Sequence, residues 1–261
     1  MIGAPVSSVR TPPLLEAYLA ERGVAASIEV RHVEPAELDG LLRDLVDKEP
    51  CDGLLVTMPH KAAVARRLAG VSAVARAAGS VNAVKRLGQR GAGEIRLVGA
   101  QFDGVALLRA LEAKAVPLRS LRVLLLGVGG AGRPIAQSLA AHGCAELAVA
   151  DRDPARLESL AGSLRQSAGC PLRVPAAPFQ ERYDLLINAT PLGMAQDDPS
   201  PFPESLVSAA RFVADIVAEP KQTRLWALAE QSGAGRVSGL DMVRGQITPI
   251  GDWLLSDSPE Q

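Results

Sequence analysis

The chain has 261 residues, enough for two modest domains that each bury a core. Its 28 basic and 29 acidic side chains nearly cancel, which leaves no electrostatic footprint for nucleic acid and no pull toward anionic lipid. No apolar run approaches the ~18 residues that would span a bilayer, and "MIGAPVSSVRTP" has neither the cationic start nor the apolar centre of a signal peptide. A cytoplasmic protein with a small-molecule ligand is expected. Cys51, Cys144 and Cys170, like His32, His60 and His142, share no ligand spacing, so the expectation is reduced thiols and no metal.

In chain order, a helix is predicted from Pro12 and Pro13 to Gly23, then an extended run "ASIEVRHV", a helix "PAELDGLLRDLVDK" and a strand "DGLLV". A turn from Thr57 to Lys61 and two short helical stretches follow. Next come "SVNAVKR" and "EIRLVGA", read as a hairpin across the Gly-rich "LGQRGAG". The helix "FDGVALLRALEAKAV" carries the chain into a second unit that alternates strand and helix. Its strands are Val123 to Leu126, Leu147 to Ala150, Leu185 to Asn188 and Phe212 to Asp215; its helices are Gly130 to Ala141, Pro154 to Ala168 and Thr223 to Gln231. "AQDDPSPFP" is a polar, Pro-broken loop. The final "DMVRGQITPIGDWLLS" is a helix whose apolar side finds no partner in the second sheet. The pattern is that of an α/β protein of two domains: a βα domain over 1–102, completed by a C-terminal helix within 239–261, and a doubly wound parallel-sheet domain over 103–238.

Gly127, Gly129 and Gly132 form G-x-G-x-x-G between the strand "RVLLL" and a helix, the Rossmann-type dinucleotide turn. The first glycine permits the tight turn, the second admits a pyrophosphate to the backbone, and the third lets helix and strand pack closely; the helix N-terminus stabilises the phosphate. Asp151 stands 19 residues past Gly132 at the end of "ELAVA", where a carboxylate accepts from the adenine ribose. With Asp153 beside it, it disfavours a 2′-phosphate, so NAD is expected; Arg152 in the same turn keeps NADP as the alternative.

The run "GLLVTMPHK" at 53 to 61 ends a buried strand in a lysine. Only 5 of the 28 basic residues are lysines, which makes Lys61 a candidate for chemistry of its own; a structural salt bridge or a plain surface lysine is the competing account. His60 reads as a loop residue.

Together these segments resemble the shikimate and quinate dehydrogenases. "VTMPHKAAV" resembles the family's segment bearing the catalytic lysine, "GSVNAV" its substrate-binding asparagine segment, and "GAQFDG" lies where the family has Gly-x-Asn-Thr-Asp-Gly. "LLLGVGGAG" resembles the cofactor turn, with Gly130 and Ala131 inside it. "INATPLGM", with Asn188, Thr190 and Pro191, resembles the nicotinamide-side loop, and "GLDMVRGQ", with Gly239, Met242 and Gln246, the C-terminal motif. The resemblance spans almost the whole chain in the family's order. It implies a substrate domain followed by a nicotinamide-binding domain, and hydride transfer at a ring secondary alcohol of shikimate, quinate or a related hydroxy acid. It pairs Lys61 as proton carrier with Asp103 as its orienting partner, and places Thr11, Thr57, Asn82 and Gln246 on the substrate.

The chain also departs from the family. Val9 and Thr11 stand where two serines are usual, Leu55 replaces an asparagine, Gln101 and Phe102 replace Asn-Thr, and Ala218 replaces a tyrosine. Val9, Leu55 and Phe102 would make an apolar wall, at a cost of about 1 to 3 kcal/mol for each substrate group desolvated without a partner. The start "MIGAPV" is shorter than the family's first strand, so either a short edge strand is tolerated or the start lies further upstream. A monomer or homodimer is expected. The alternative to an enzyme is a catalytically silent NAD-binding sensor or regulatory protein on the same fold, against which the retained Lys61 and Asp103 argue.

Overall fold

In the computed structural model, which describes residues 1–6, 9–47, 51–88, 95–164, 169–258 and 260, the chain forms two units. One is Met1–Phe102 with Ile247–Gln261, the other Asp103–Gln246.

The first unit contains β1 (Ile2–Gly3), α1 (Thr11–Ala20), β2 (Arg31–His32), α2 (Leu38–Asp47), β3 (Gly53–Leu55), α3 (Lys61–Ala65), β4 (Gly70–Val71), α4 (Ala73–Ala78), β5 (Ala83–Leu87) and β6 (Arg96–Ala100). Pro12 and Pro13 occupy the first turn of α1, where a missing N–H leaves no helical bond unmade. The Ser72 hydroxyl caps α4 by accepting from the Ala75 N–H at 3.2 Å, and Gly79 ends it at φ 65°. Strand order is β3-β5-β6-β4, with β5 antiparallel to both neighbours and β4 parallel to β6. The pairing of Leu87 with Arg96 agrees with the expected hairpin; residues 89–94 of its turn lie outside the described residues.

Two expectations change in this unit. Of "ASIEVRHV" only Arg31 and His32 form a strand; the Ile28 N–H donates to the Glu16 carboxylate at 2.6 Å instead of to a neighbouring strand. The short β1 is not an edge either. Ile2 pairs with Arg31 on one side and bridges Val56 on the other, its carbonyl accepting from the Thr57 N–H at 2.9 Å, and its side chain is buried with Val33, Leu38, Leu54 and Val84. Pairing on both sides and a buried side chain compensate for its two-residue length.

The second unit runs through α5 (Asp103–Ala113), β7 (Arg122–Leu126), α6 (Gly132–His142), β8 (Glu146–Ala150), α7 (Pro154–Leu164), β9 (Leu172–Arg173), β10 (Leu185–Asn188), α8 (Glu204–Ala209), β11 (Phe212–Asp215), α9 (Arg224–Gln231), β12 (Gly235–Ser238) and into α10 (Gly239–Leu255). All six strands are parallel in the order β12-β11-β10-β7-β8-β9. Read from β9 this is 3-2-1-4-5-6, the doubly wound dinucleotide-binding order, whose switch point lies between β7 and β10. The central strands read "RVLLL", "ELAVA" and "LLIN" without alternation because both faces are covered. The edge strands β9 and β12 and the short α8 carry too few apolar residues to be announced by pattern. Among the described residues no helix is long and apolar enough to cross a membrane, and no group of three His, Cys, Asp or Glu is arranged to hold a metal.

The last residues of α10 count with the first unit and cover the sheet face that carries Gly53, Leu55, Ala83 and Lys85, which share one side by register. A Cβ on Gly53 would stand 3.2 Å from Leu254 Cδ2, so the helix approaches the strand closely. Lys85 is almost fully buried. Its Nζ donates to the carbonyls of Trp253 (2.9 Å), Ser256 (2.9 Å) and Ser258 and to the Ser256 hydroxyl (3.2 Å), and stands 4.6 Å from the centre of the Trp253 ring. Carbonyls at a helix C-terminus lack intrahelical donors, and one ammonium supplies them here. Lys85→Met keeps the apolar stem and removes the donors. We expect it to cost about 2 to 4 kcal/mol, read as a lower urea midpoint by Trp253 fluorescence in a Trp226→Phe background; an unchanged midpoint would show the clamp to be dispensable.

Candidate active site

The dinucleotide half is built at the switch point of the second unit. Gly127 has φ +92°, and a Cβ there would lie 2.8 Å from the Ala189 carbonyl oxygen; a Cβ on Gly132 would lie 1.9 Å from the Gly127 oxygen. Both positions therefore require glycine, one for conformation and contact, the other for contact alone. At Gly129 the nearest atom to an added Cβ is Arg156 Nη1 at 3.8 Å, so the second glycine borders open space beside a guanidinium. That is the fit a pyrophosphate needs. Gly130 and Ala131 complete the turn, and Ala131 is the N-cap position of α6.

Asp151 closes this turn in a way the spacing does not reveal. Its Oδ2 accepts from the Val128 N–H at 2.7 Å and its Oδ1 from the Asp153 N–H at 2.9 Å, tying the end of β8 to the Gly-rich turn. Asp153 accepts from the Ala155 N–H at 3.0 Å, which caps α7, and pairs with Arg156 at 3.2 Å. Both acids on which the expectation of NAD rests are thus engaged within the protein, whereas Arg152 between them is exposed. The two carboxylates keep their charge but are partly committed within the protein, and Arg156, paired with Asp153, is a second cation near Arg152 that sequence reading passed over.

Across the switch point, Asn188 is fully buried. Its Nδ2 donates to the Leu192 carbonyl (2.9 Å) and Asp215 Oδ1 (3.0 Å), and its Oδ1 accepts from the Thr190 N–H (3.0 Å) and hydroxyl (2.7 Å). Asn188 and Thr190 therefore shape the 188–192 loop, with Pro191 exposed at its turn. Asp215 also accepts from the Thr223 hydroxyl at 2.6 Å. Burial raises its pKa, and the bonds from Thr223, Asn188 and Val217 oppose that rise. Neither Asp215 nor Thr223 is a candidate from sequence; a strand-end acid within "DIVAEP" was the available signal.

The N-terminus of α10 is fixed beside this loop. A Cβ on Gly239 would stand 2.6 Å from the Ala218 nitrogen. Asp241 Oδ2 accepts from the Ser238 N–H (3.0 Å) and hydroxyl (2.7 Å), while Asp241 N–H donates back to the Ser238 hydroxyl at 3.1 Å, a reciprocal cap. Burial alone would raise the Asp241 pKa; the Ser238 bonds and Lys114 outweigh it and hold the carboxyl below its usual range. Met242, a cofactor-binding candidate, is buried and packs against the core of this unit. Gln246 is half-buried, one residue past Gly245, whose missing Cβ lets α10 meet the Ala106 carbonyl of α5. Asp103 is buried as the first residue of α5. Next to it, a Cβ on Gly104 would lie 2.0 Å from Ser138 Oγ and 2.6 Å from the Pro134 carbonyl, so close packing on α6 sets where Asp103 stands.

In the first unit, Thr57, Lys61 and Asn82 are brought to one end of the sheet. The Val56 N–H donates to the Asn82 carbonyl at 2.9 Å, and the Val81 N–H to the Lys61 carbonyl at 3.0 Å. The turn between Thr57 and α3 is closed by the His60 N–H donating to the Thr57 carbonyl at 3.0 Å. His60 lies in this turn, as expected of a loop residue, and is buried there, its ring Nε2 meeting the Val33 carbonyl at 2.6 Å. Gly3 is required beside Thr57, whose Cγ2 would lie 2.3 Å from an added Cβ. Asn82 Oδ1 accepts from the Phe102 N–H at 2.9 Å, and Gln101 Nε2 donates to the buried Ser80 hydroxyl at 2.9 Å.

The expected apolar wall divides. Phe102 is buried and its ring packs against Trp253, centroids 5.7 Å apart at 60°, so its side chain is held in the core of the unit. Leu55 is buried on the sheet face that receives α10. Val9 is half-buried, and Thr11 is buried at the start of α1.

The profile of the shikimate dehydrogenase substrate binding domain matches residues 1–84, and that of the ThiF family residues 105–164. Shikimate dehydrogenase (NADP(+)) of Methanopyrus kandleri is 34% identical over 255 residues, covering 93% of this chain and 84% of its own. Among solved structures, shikimate 5-dehydrogenase from Thermus thermophilus in complex with NADP(H) and shikimate superposes with a TM-score of 0.80 at 30% identity, covering 97% of this chain and 91% of its own. The ligand-free 5-ketofructose reductase of a Gluconobacter strain does so with 0.76 at 27% identity, covering 97% and 91%. With these matches along nearly its full length, the chain belongs to the shikimate dehydrogenase family.

Proposed function

We propose that the protein is an NADP-dependent oxidoreductase that interconverts a ring secondary alcohol and its ketone in a cyclic hydroxy acid of the shikimate class. The observation that carries this reading is the set Thr57, Lys61 and Asn82, held at one sheet end by the Val56–Asn82 and Val81–Lys61 bonds. The nicotinamide, when bound, takes or gives the hydride at the carbinol carbon. Lys61 holds and moves the proton of the substrate oxygen, Asp103 orients the Lys61 ammonium, and Asn82, Thr57, Thr11 and Gln246 contact the substrate's oxygens.

NADP is favoured over NAD because the exposed Arg152 stands in the turn after β8, while Asp151 and Asp153 are engaged by backbone amides and Arg156 within the protein. Arg152 is available by sequence and exposure to receive a 2′-phosphate, and the Methanopyrus kandleri relative is a shikimate dehydrogenase (NADP(+)). Titration of both cofactors should show tighter binding of NADP, and Arg152→Ala should weaken NADP about tenfold or more while leaving NAD nearly unchanged. Tighter NAD binding by the unaltered protein would restore the charge argument.

Lys61→Ala should abolish turnover with cofactor affinity nearly intact. Asp103→Asn should impair turnover, and the double variant should lose less than the product of the two effects, because the residues act as a unit. Full activity in Lys61→Ala would return Lys61 to a structural role. Turnover of no cyclic hydroxy acid, with cofactor binding retained, would support the silent binding protein.

Shikimate itself is expected to be turned over inefficiently, since Val9 offers no hydrogen bond to its carboxylate. Val9→Ser should raise kcat/KM for shikimate by about tenfold if one bond is recovered; efficient oxidation by the unaltered protein would refute this account of position 9.

A further inference from the structure

The three cysteines, unrelated by spacing, are not unrelated in space. Cys144 and Cys170 are separated by 26 positions, yet their sulfurs lie 3.3 Å apart, both buried at 6% and 7% exposure in the core of the second unit. All three cysteines are free thiols.

The backbone on both sides of the pair is anchored. Gly143 leaves α6 at φ +87°, its N–H donating to the Leu139 carbonyl at 3.0 Å, and the Ala145 N–H donates to the Leu121 carbonyl at 2.9 Å. On the other strand of the pair, the Gly169 N–H donates to the Ala140 carbonyl at 2.8 Å, and the Pro171 carbonyl accepts from the Leu147 N–H at 2.9 Å. A Cβ on Gly169 would stand 2.9 Å from the Ala140 oxygen, so glycine lets this segment lie directly on the end of α6. Both cysteines are thus presented by neighbouring backbone that is already hydrogen-bonded together, and a bond between them asks for a sulfur displacement of about 1.3 Å to reach the ~2.05 Å of a disulfide.

We propose that Cys144 and Cys170 form an oxidative modification site, a dithiol that a small hydroperoxide converts into an intrachain disulfide bracketing β8 and α7. In the first step one thiol sulfur bonds to a peroxide oxygen, the O–O bond breaks, and the sulfenic acid and an alcohol (water, from hydrogen peroxide) result. In the second step the other sulfur bonds to the sulfenyl sulfur, the S–O bond breaks, and a second water leaves with the remaining thiol proton. Two sulfurs are oxidised by two electrons in all and one peroxide is reduced. Burial pushes the Cys144 thiol well above its ordinary pKa, so the first step is slow and requires an oxidant small enough to enter; the second is fast because the partner is already in place. The bracketed segment carries Asp151, Arg152 and Asp153, so the cross-link would stiffen the stretch that holds the adenine side of the cofactor turn.

Cys51 serves as an internal control. It lies in the other unit, half-buried, with its thiol donating to the Gly53 carbonyl at 2.9 Å. The full chain is exposed to hydrogen peroxide, quenched, denatured and titrated for thiols, with peptide mapping under non-reducing conditions. The expected result is loss of two thiols per chain, a mass lower by two hydrogens, and a peptide joining Cys144 to Cys170 that dithiothreitol releases. The same cross-link should form in Cys51→Ser, fail to form in Cys170→Ser and in Cys144→Ala, and raise the thermal midpoint by about 5 °C. Stepwise over-oxidation of Cys144 or Cys170 to sulfinic acid without cross-link, or disulfides through Cys51 alone, would overturn the proposal. So would three unreacted thiols under conditions that oxidise a free peptide dithiol.

Discussion

The dinucleotide half of this protein depends on one contact that would be a clash for any residue but glycine. The start of α6 sits so close to the end of β7 that a Cβ at 132 would lie 1.9 Å from the Gly127 carbonyl oxygen. With that approach made, the amides of the turn are gathered at the helix N-terminus, and the Val128 N–H is turned toward Asp151 on the neighbouring strand. The same economy recurs where α5 meets α6 at Gly104, and where α10 meets α5 at Gly245. Close packing of these helices, rather than any long side chain, sets where Asp103 and Gln246 stand. Bulk added at these glycines would act on function through backbone position.

Polar side chains in both halves are spent first on the backbone. Asn82 holds the chain at Phe102, Asn188 and Thr190 hold their own loop, and Asp151 holds the glycine turn. A buried polar group without a partner costs about 1 to 3 kcal/mol, so such residues are structural and functional at once. This pre-organisation fixes the geometry a bound ligand meets, at the cost of leaving each side chain fewer free valences for the ligand itself.

The sequence made the parallel sheet and the glycine turn legible, because each rests on local chemistry: apolar runs and glycines at fixed offsets. Where the structure adds what the pattern did not carry, the partner cannot be named from spacing, whether it is near or far along the chain. Asp151 and Asp153 read as a repulsive wall for a 2′-phosphate until their amide and Arg156 partners are seen. Phe102 read as substrate lining until Trp253, far along the chain, is found against its ring. The second neighbour of Ile2, Val56, cannot be identified by pattern from a two-residue strand. The Cys144–Cys170 proximity carries no spacing signal at all.

The pairing of Phe102 with Trp253 also explains how the chain can depart from its family at 101 and 102 while keeping Asp103. A small polar residue at 102 would leave a gap beneath Trp253, whose indole is already held by Lys85. An aromatic ring there fills the space, and the Phe102 N–H remains bonded to Asn82. The backbone course through 100 to 102 is thereby set by main-chain and Asn82 bonds that do not depend on the side chain at 102. The side chain is free to vary with its packing partner, and the position of the following aspartate, fixed by Gly104 against α6, is unaffected by the exchange. Residues of a binding motif that face the core can thus change together with the core while the chemistry carried by their neighbours stays in place.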